Sequence, residues 1–256
     1  MRTSFVSFPT SAGLTVAGLL RTPRDAVAPV GAVLICHGSD GVDGRGEFYA
    51  SALNAAGLAT LEIDMWAARS TNRGAAGRPR SPMETLPDAF GGLTFLGGQP
   101  EIDAARIGIL GFSWGGVVTL LSATKGRADP LRGSLPGFKA HAAHYPVCYA
   151  YAVDPRMALT DLTGAPILIQ TGDADTYDNP DAGAKLAASL AGQGTAQVRN
   201  ITYRGATHGF DRDLPAQTIN DPFAHNGAGG PVLMEFNKAG AEAARSEVVG
   251  FFKATL

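Results

Sequence analysis

Gly111-Phe112-Ser113-Trp114-Gly115-Gly116 fits the pattern G-x-S-x-G. The apolar run Arg106-Ile107-Gly108-Ile109-Leu110 precedes it, and a helix-forming stretch from Val117 to Ala123 comes after it. This is the setting of a nucleophile elbow, where a strand hands over to a helix through a strained turn and the serine hydroxyl stands out at the sheet's end. The glycines permit the turn, and the amides at the start of the helix point at any oxyanion that develops there. A serine hydroxyl at neutral pH is a weak nucleophile, so acyl transfer needs a base in hydrogen-bond reach and an acid to orient the base.

If the chain order is serine, acid, histidine, the base comes late. His208, in Gly205-Ala206-Thr207-His208-Gly209-Phe210, lies just past the last expected strand, whereas His225 falls within an irregular stretch. His141 and His144 share a strand and are three apart, so they face opposite ways. The acid should come after the strand Ile167–Gln170. There Asp173, Asp175 and Asp178 are all candidates, because aspartate also forms turns. His37-Gly38-Ser39-Asp40-Gly41, after the strand ending at Cys36, is the place for the second half of an oxyanion hole. The Ser39 and Trp114 amides are the expected donors, and His37 is expected to hold the loop.

These side chains must be positioned by elements that the pattern of the chain supplies. Phe5, Val6 and Phe8, then Leu14, Val16, Leu19 and Leu20, predict an opening hairpin. Val30–Cys36, Ala59–Asp64, Arg106–Gly111, Lys139–Tyr145, Pro166–Gln170 and Val198–Tyr203 read as strands. Helices are expected at about 46–57, at Leu86–Leu96, after Ser113, after Asn179-Pro180 with Asn179 as cap and Pro180 in the first turn, and from Ala241 to Phe252. Strand–helix alternation predicts a mostly parallel central sheet of about eight strands, with helices on both faces and an N-terminal antiparallel hairpin. The 256 residues show no internal repeat or linker, so one domain spanning 1–256 is expected. The 211–232 stretch, rich in Pro, Gly, Asn and Asp, reads as a long functional loop.

Composition narrows the function. Lys+Arg 21 against Asp+Glu 23 gives a net charge of −2, which offers no electrostatic footprint for nucleic acid or an anionic membrane. Hydrophobic residues make up 45% of the chain, too many for disorder. Cys36 and Cys148 can build neither a disulfide framework nor a metal site, and no cofactor is implied. No apolar run suits a signal peptide or a membrane span, so a cytoplasmic location is expected; a mature chain that had shed a leader would read the same way. Asn200-Ile201-Thr202 lies in an expected strand, where a glycosylation sequon is a chance match.

Over nearly its whole length the sequence resembles the α/β-hydrolase fold and, within it, the dienelactone hydrolase-like family. The matching pieces are His37-Gly38, the elbow around Ser113, Tyr145-Pro146-Val147-Cys148, Gly172-Asp173-Ala174-Asp175 and the segment around His208. The resemblance selects Asp175 as the acid. It departs from the family's namesake in carrying a serine where that enzyme has cysteine, and Gly38 where it has a glutamate. Arg212 stands where the namesake binds a substrate carboxylate, with Arg69 or Arg80 as a second cation. Trp66, Phe112, Trp114 and Tyr145 are expected as apolar walls. The resemblance and the residues together imply a serine carboxylic-ester hydrolase for small esters or lactones, with no nucleic-acid or membrane partner and no oligomeric state implied. The rivals are a prolyl-oligopeptidase-like peptidase, which would need a gating domain, and a non-catalytic binding protein on the same fold. Cys148 lacks an elbow and is a remote alternative nucleophile.

Overall fold

The computed structural model describes residues 1–24, 28–69 and 77–256. The chain opens with strands β1 (Arg2–Pro9) and β2 (Thr15–Thr22), an antiparallel hairpin turned at Gly13 with φ +77°. Then come β3 (Val30–Cys36), α1 (Gly44–Ala55), β4 (Ala59–Asp64), α2 (Leu86–Gly97), β5 (Ile102–Phe112), α3 (Trp114–Leu121) and the single turn α4 (Lys125–Ala128). The second half supplies β6 (His141–His144), α5 (Ala150–Val153), β7 (Ile167–Gly172), α6 (Ala182–Ala191), β8 (Val198–Tyr203), β9 (Gln217–Asp221), α7 (Ala224–Gly227), β10 (Gly230–Met234) and α8 (Lys238–Thr255). The main sheet has eight strands in the order β1-β2-β4-β3-β5-β6-β7-β8. β2 runs antiparallel to both its neighbours, and every pairing from β4 through β8 is parallel.

Burial is a consequence of that topology. A parallel strand covered on both faces is apolar throughout, and successive side chains go to opposite sides. Val33 and Ile35 pack with Leu53 of α1 and with Val248 and Phe252 of α8. Leu34 and Cys36 join the opposite core with Leu93 of α2 and Val118 of α3. Helices thus lie on both faces, as the alternation predicts, and the loops after β3, β5, β7 and β8 meet at the carboxyl end of the sheet, where open α/β sheets bind ligands.

Two expectations are corrected. The 211–232 stretch is not simply a loop: β9 and β10 form a separate antiparallel ribbon in which Val232 pairs with Ile219. Its inward residues Val232 and Met234 pack on Tyr177 and Ala224, a small core that the surrounding glycines, prolines and asparagines mask in sequence. The α6 helix starts at Ala182 with Asp181 at its N-cap rather than at Asn179. The Asn179 side chain is engaged elsewhere, its Oδ1 accepting from Asn226 Nδ2 at 3.3 Å.

Candidate active site

Ser113 sits between β5 and α3 with φ 49° and ψ −107°. Left-handed φ in a non-glycine residue costs of order 1–3 kcal/mol and persists only where the surroundings over-determine it. Three neighbouring glycines do so by letting backbone pass within contact. A Cβ built on Gly111 would lie 2.0 Å from Gly115 O, one on Gly115 would lie 2.1 Å from Cys36 O, and one on Gly116 would lie 2.7 Å from His144 O. The elbow is therefore wedged between the ends of β3 and β6. Ser113 N donates to His144 O at 3.0 Å, and Gly115 N donates to His37 O at 3.1 Å.

Two distant loops complete a hydrogen-bonded series. Ser113 Oγ lies 2.8 Å from His208 Nε2, and His208 Nδ1 lies 2.8 Å from Asp175 Oδ2. The carboxylate can only accept, so Nδ1 carries the proton and Nε2 of the neutral ring accepts from the serine hydroxyl. Asp175 is oriented in turn by the Tyr177 amide, which donates to its Oδ1 at 2.9 Å, while the Tyr177 ring packs on the imidazole with centroids 4.1 Å apart. The other two carboxylates have different work. Asp173 Oδ1 accepts from Gly205 N at 2.6 Å and closes a turn. Asp178 accepts from the amides of Cys148 and Tyr149, each at 2.7 Å; burial pushes its carboxyl up to about 6 against the pull of those bonds. Cys148 is buried, and desolvation pushes its thiol well up, the opposite of what a nucleophilic thiolate needs.

The loop after β3 is held from several sides. Met65 N donates to His37 Nε2 at 2.9 Å, which leaves Nδ1 as the donor to Gly38 O at 2.7 Å. Burial pushes the His37 imidazole down to about 4, so it stays neutral. Gly41 N also donates to Gly38 O, at 3.0 Å. In a trans peptide the N–H points opposite to the C=O, so tying down Gly38 O fixes the direction of the Ser39 N–H. Trp66 Nε1 donates to Ser39 O at 2.9 Å. Among the described residues, no backbone carbonyl outside the regular elements accepts from the Ser39 or Trp114 amide.

Ser113, Ser39 and Trp114 open on a cavity of about 570 Å³, whose apolar wall includes Val117, Val147, Met157 and Phe223. Several expected walls and cations are elsewhere. Trp66 is a buried support that donates to Ser39 O and packs edge-on against His37 and Trp114. Tyr145 is fully buried and donates to Asp211, with Arg45 Nη1 donating to its hydroxyl at 3.1 Å. Arg69 is taken up by Asp88 at 2.6 Å and by the Met65 and Glu84 carbonyls. Arg212 pairs with Asp40 at 2.8 Å and lies 3.4 Å from Asp43. Of the expected cations only Arg80 lines the cavity, together with Arg78 and Arg156. His225 Nε2 bonds Pro231 O, while His141 and His144 sit on opposite faces of β6 as expected.

Sequence reasoning misses three groups around the site. Asp211, three residues past His208, is fully buried and accepts from Tyr49 and Tyr145 hydroxyls and from His144 Nδ1. Burial works to raise its carboxyl, but the His144 bond, the Arg45 charge and the Tyr145 bond outweigh it and hold it below the usual range. Arg45 lies beside Gly38, its Nη2 3.1 Å from where a Cβ would sit. Arg78 donates to Ser39 Oγ at 2.8 Å. Asp211 and Arg78 find their partners in remote segments. Arg45 does pair with Asp43 two residues before it, at 2.6 Å, but its place beside Gly38 and the Tyr145 hydroxyl is set by the fold, so no local signal marks the role of any of the three. Among the described residues there is no cluster of three or more potential metal ligands, and no helix is long and apolar enough to cross a membrane.

The dienelactone hydrolase family model matches residues 16–256. No curated protein matches the sequence. Among solved structures, a dienelactone hydrolase-like promiscuous phosphotriesterase from metagenomic libraries is similar at TM-score 0.71 and 16% identity, over 99% of this chain and 98% of that one. The dienelactone hydrolase of Anabaena variabilis aligns at TM-score 0.64 and 18% identity, over 100% and 98%. An esterase of Pyrobaculum calidifontis aligns at 0.63 and 16%, over 99% and 85%. At such identities the likeness is one of fold, the α/β-hydrolase arrangement.

Proposed function

The chain belongs to the dienelactone hydrolase family and is a carboxylic ester hydrolase, and from that premise we propose that it is a serine esterase for small esters or lactones, acting through an acyl-enzyme. The observation that carries this reading is the unbroken series from Asp175 through His208 to Ser113 Oγ, with both links at 2.8 Å, at the wall of the cavity. Ser113 Oγ attacks the ester carbonyl as His208 Nε2 takes its proton. The carbonyl electron pair moves onto oxygen and is met by the Ser39 and Trp114 amides, each contributing about 2.7–4 kcal/mol of barrier reduction. Asp175 holds the tautomer and stabilises the imidazolium. His208 then gives its proton to the leaving alcohol, and a water activated by the same nitrogen releases the acid. The apolar wall of Trp114, Val117, Val147 and Phe223 suits a short acyl or alcohol arm.

Turnover of 4-nitrophenyl acetate and of a simple γ-lactone, with fluorophosphonate labelling, tests the reading. Ser113→Ala should lose on the order of 10⁶-fold in kcat and all labelling, while the circular dichroism spectrum is unchanged. Turnover that survives in the variant would remove Ser113 from its role. A wild-type chain that is inert to every ester and to the label would favour a binding protein.

A further inference from the structure

Arg78 is not among the cations expected from the sequence, which are Arg212 with Arg69 or Arg80, yet among the described residues it is a cation at the cavity held by a serine, a carboxylate and two rings. Its side chain is only 8% exposed. Nη1 donates to Ser39 Oγ at 2.8 Å; Nη1 also lies 2.9 Å from Asp221 Oδ2, and Nη2 donates to Asp221 Oδ1 at 3.0 Å. The guanidinium carbon is 5.7 Å from the Trp114 ring centroid and 5.2 Å from that of Phe223. One flat group therefore touches side chains of both residues whose amides are the proposed oxyanion donors, and ties them to the end of the β9–β10 ribbon. The Asp221 anchor is itself well held. It accepts from Phe223 N at 2.8 Å, and although burial works to raise its carboxyl, the Arg78 bond and charge and the Phe223 amide hold it below the usual range.

Ser39 is pinned at its carbonyl by Trp66 Nε1 and, through Gly38 O, at the peptide ahead of it. Its side chain is the third handle, and Arg78 holds that one. We propose that Arg78 is a positioning residue for the oxyanion hole: through Ser39 Oγ and the Trp114 ring it keeps the two amides in register, with Asp221 as its anchor. The inference rests on the acyl-transfer reading above. A guanidinium is suited to the task because its fork grips a carboxylate with two nitrogens, has a donor left for the serine and presents flat faces to two rings; a lysine can do only one of these at a time. The paired carboxylate of Asp221 also neutralises the charge, which separates this role from that of a free cation for an acidic substrate.

The test compares wild type, Arg78→Ala, Arg78→Lys and Ser39→Ala. The readouts are kcat and KM for 4-nitrophenyl acetate and the affinity of an aliphatic trifluoromethyl ketone. That ketone forms a reversible hemiketal: Ser113 Oγ adds to the carbonyl carbon, His208 takes the hydroxyl proton, and the carbonyl electron pair becomes an oxyanion in the hole. Arg78→Ala should lose on the order of 10²-fold in kcat, with KM within about threefold and ketone affinity falling in step with kcat. Arg78→Lys should restore little of either. Ser39→Ala, which keeps the amide and the fold, should show a smaller loss in both readouts, and the double variant should lose no more than Arg78→Ala alone. A rise in KM at constant kcat would make Arg78 a substrate cation instead. Lower thermal stability with unchanged kcat and ketone affinity would make it only a latch for the ribbon, and additive losses in the double variant would also overturn the proposal. An inert, unlabelled wild type would remove the acyl-transfer reading itself and this inference with it, whereas an active wild type with any of these variant outcomes removes the inference alone.

Discussion

Gly115→Ala adds one methyl group at a place where the surroundings cannot yield cheaply. The new Cβ would meet Cys36 O at 2.1 Å, Cys36 C at 2.7 Å and His37 O at 2.7 Å, all backbone atoms at the junction of β3 with the loop that carries Ser39. Restoring ordinary contact demands a displacement of about 1 Å, and forced overpacking of this kind costs about 1–3 kcal/mol. That corresponds to a fall in Tm of about 2–12 °C for a chain of this size. The catalytic effect is larger, because the loop must move away from the elbow. The Ser39 amide then separates from the Trp114 amide, and loss of one oxyanion donor costs about 10²–10³-fold in kcat. Gly126→Ala is the matched control: the same methyl group meets nothing within 4 Å, so activity should be unchanged and stability level or raised by up to about 1 kcal/mol. The assay is kcat for 4-nitrophenyl acetate with the rate of fluorophosphonate labelling, on samples whose melting curves are recorded in parallel. A Gly115→Ala protein with kcat within threefold of wild type and an unshifted Tm would refute the idea that close contact of the β3 loop with the elbow builds the hole.

Asp175→Asn should lower kcat by about 10⁴-fold through loss of the His208 tautomer, whereas Asp173→Asn, which alters only the turn at Gly205, should stay within a few-fold; equal losses would reverse the assignment of the acid. A third expectation concerns pH. Burial lowers His141 from its ordinary 6.5 to about 4, opposed only by its bond to Thr119 O. The unfolded chain therefore binds the proton first, and the contribution is complete above about pH 6.5 and is lost as pH falls toward 4, by about 2 kcal/mol between pH 7 and 5. Glu62, raised by burial to about 7, and Asp178, raised to about 6, pull the other way in the same window. The signature is thus a difference: urea unfolding of His141→Gln should show a pH slope shifted by about 2 kcal/mol relative to wild type, and parallel slopes would count against a buried neutral imidazole.

The parts of this protein that were legible in sequence are those whose physical requirement is local. A strand buried on both faces must be apolar at every position, so Val30–Cys36 and Ile107–Leu110 announce themselves. The tight passage of backbone around Ser113 requires missing side chains, so Gly111, Gly115 and Gly116 mark it. Asp175 and His208 stand just past the strands that present them, although choosing Asp175 over Asp173 and Asp178 needed the family resemblance. The β9–β10 ribbon was harder to see, because its two five-residue strands pack on Tyr177, from the segment after β7, and on Ala224 of their own connection, and neither contact is written into the strands themselves.

Which arginine does what was decided by tertiary structure alone. A guanidinium rides on a long flexible stem and takes whichever carboxylate the fold brings within reach. Asp88 takes up Arg69, Asp40 and Asp43 take up Arg212, and Asp221 orients Arg78 from a segment far along the chain. The elbow writes its requirement into its own glycines and serine, whereas a guanidinium's partner is whichever carboxylate the fold brings near, which is why the elbow could be read from the letters of the chain and the pairing of Arg69, Arg78 and Arg212 could not.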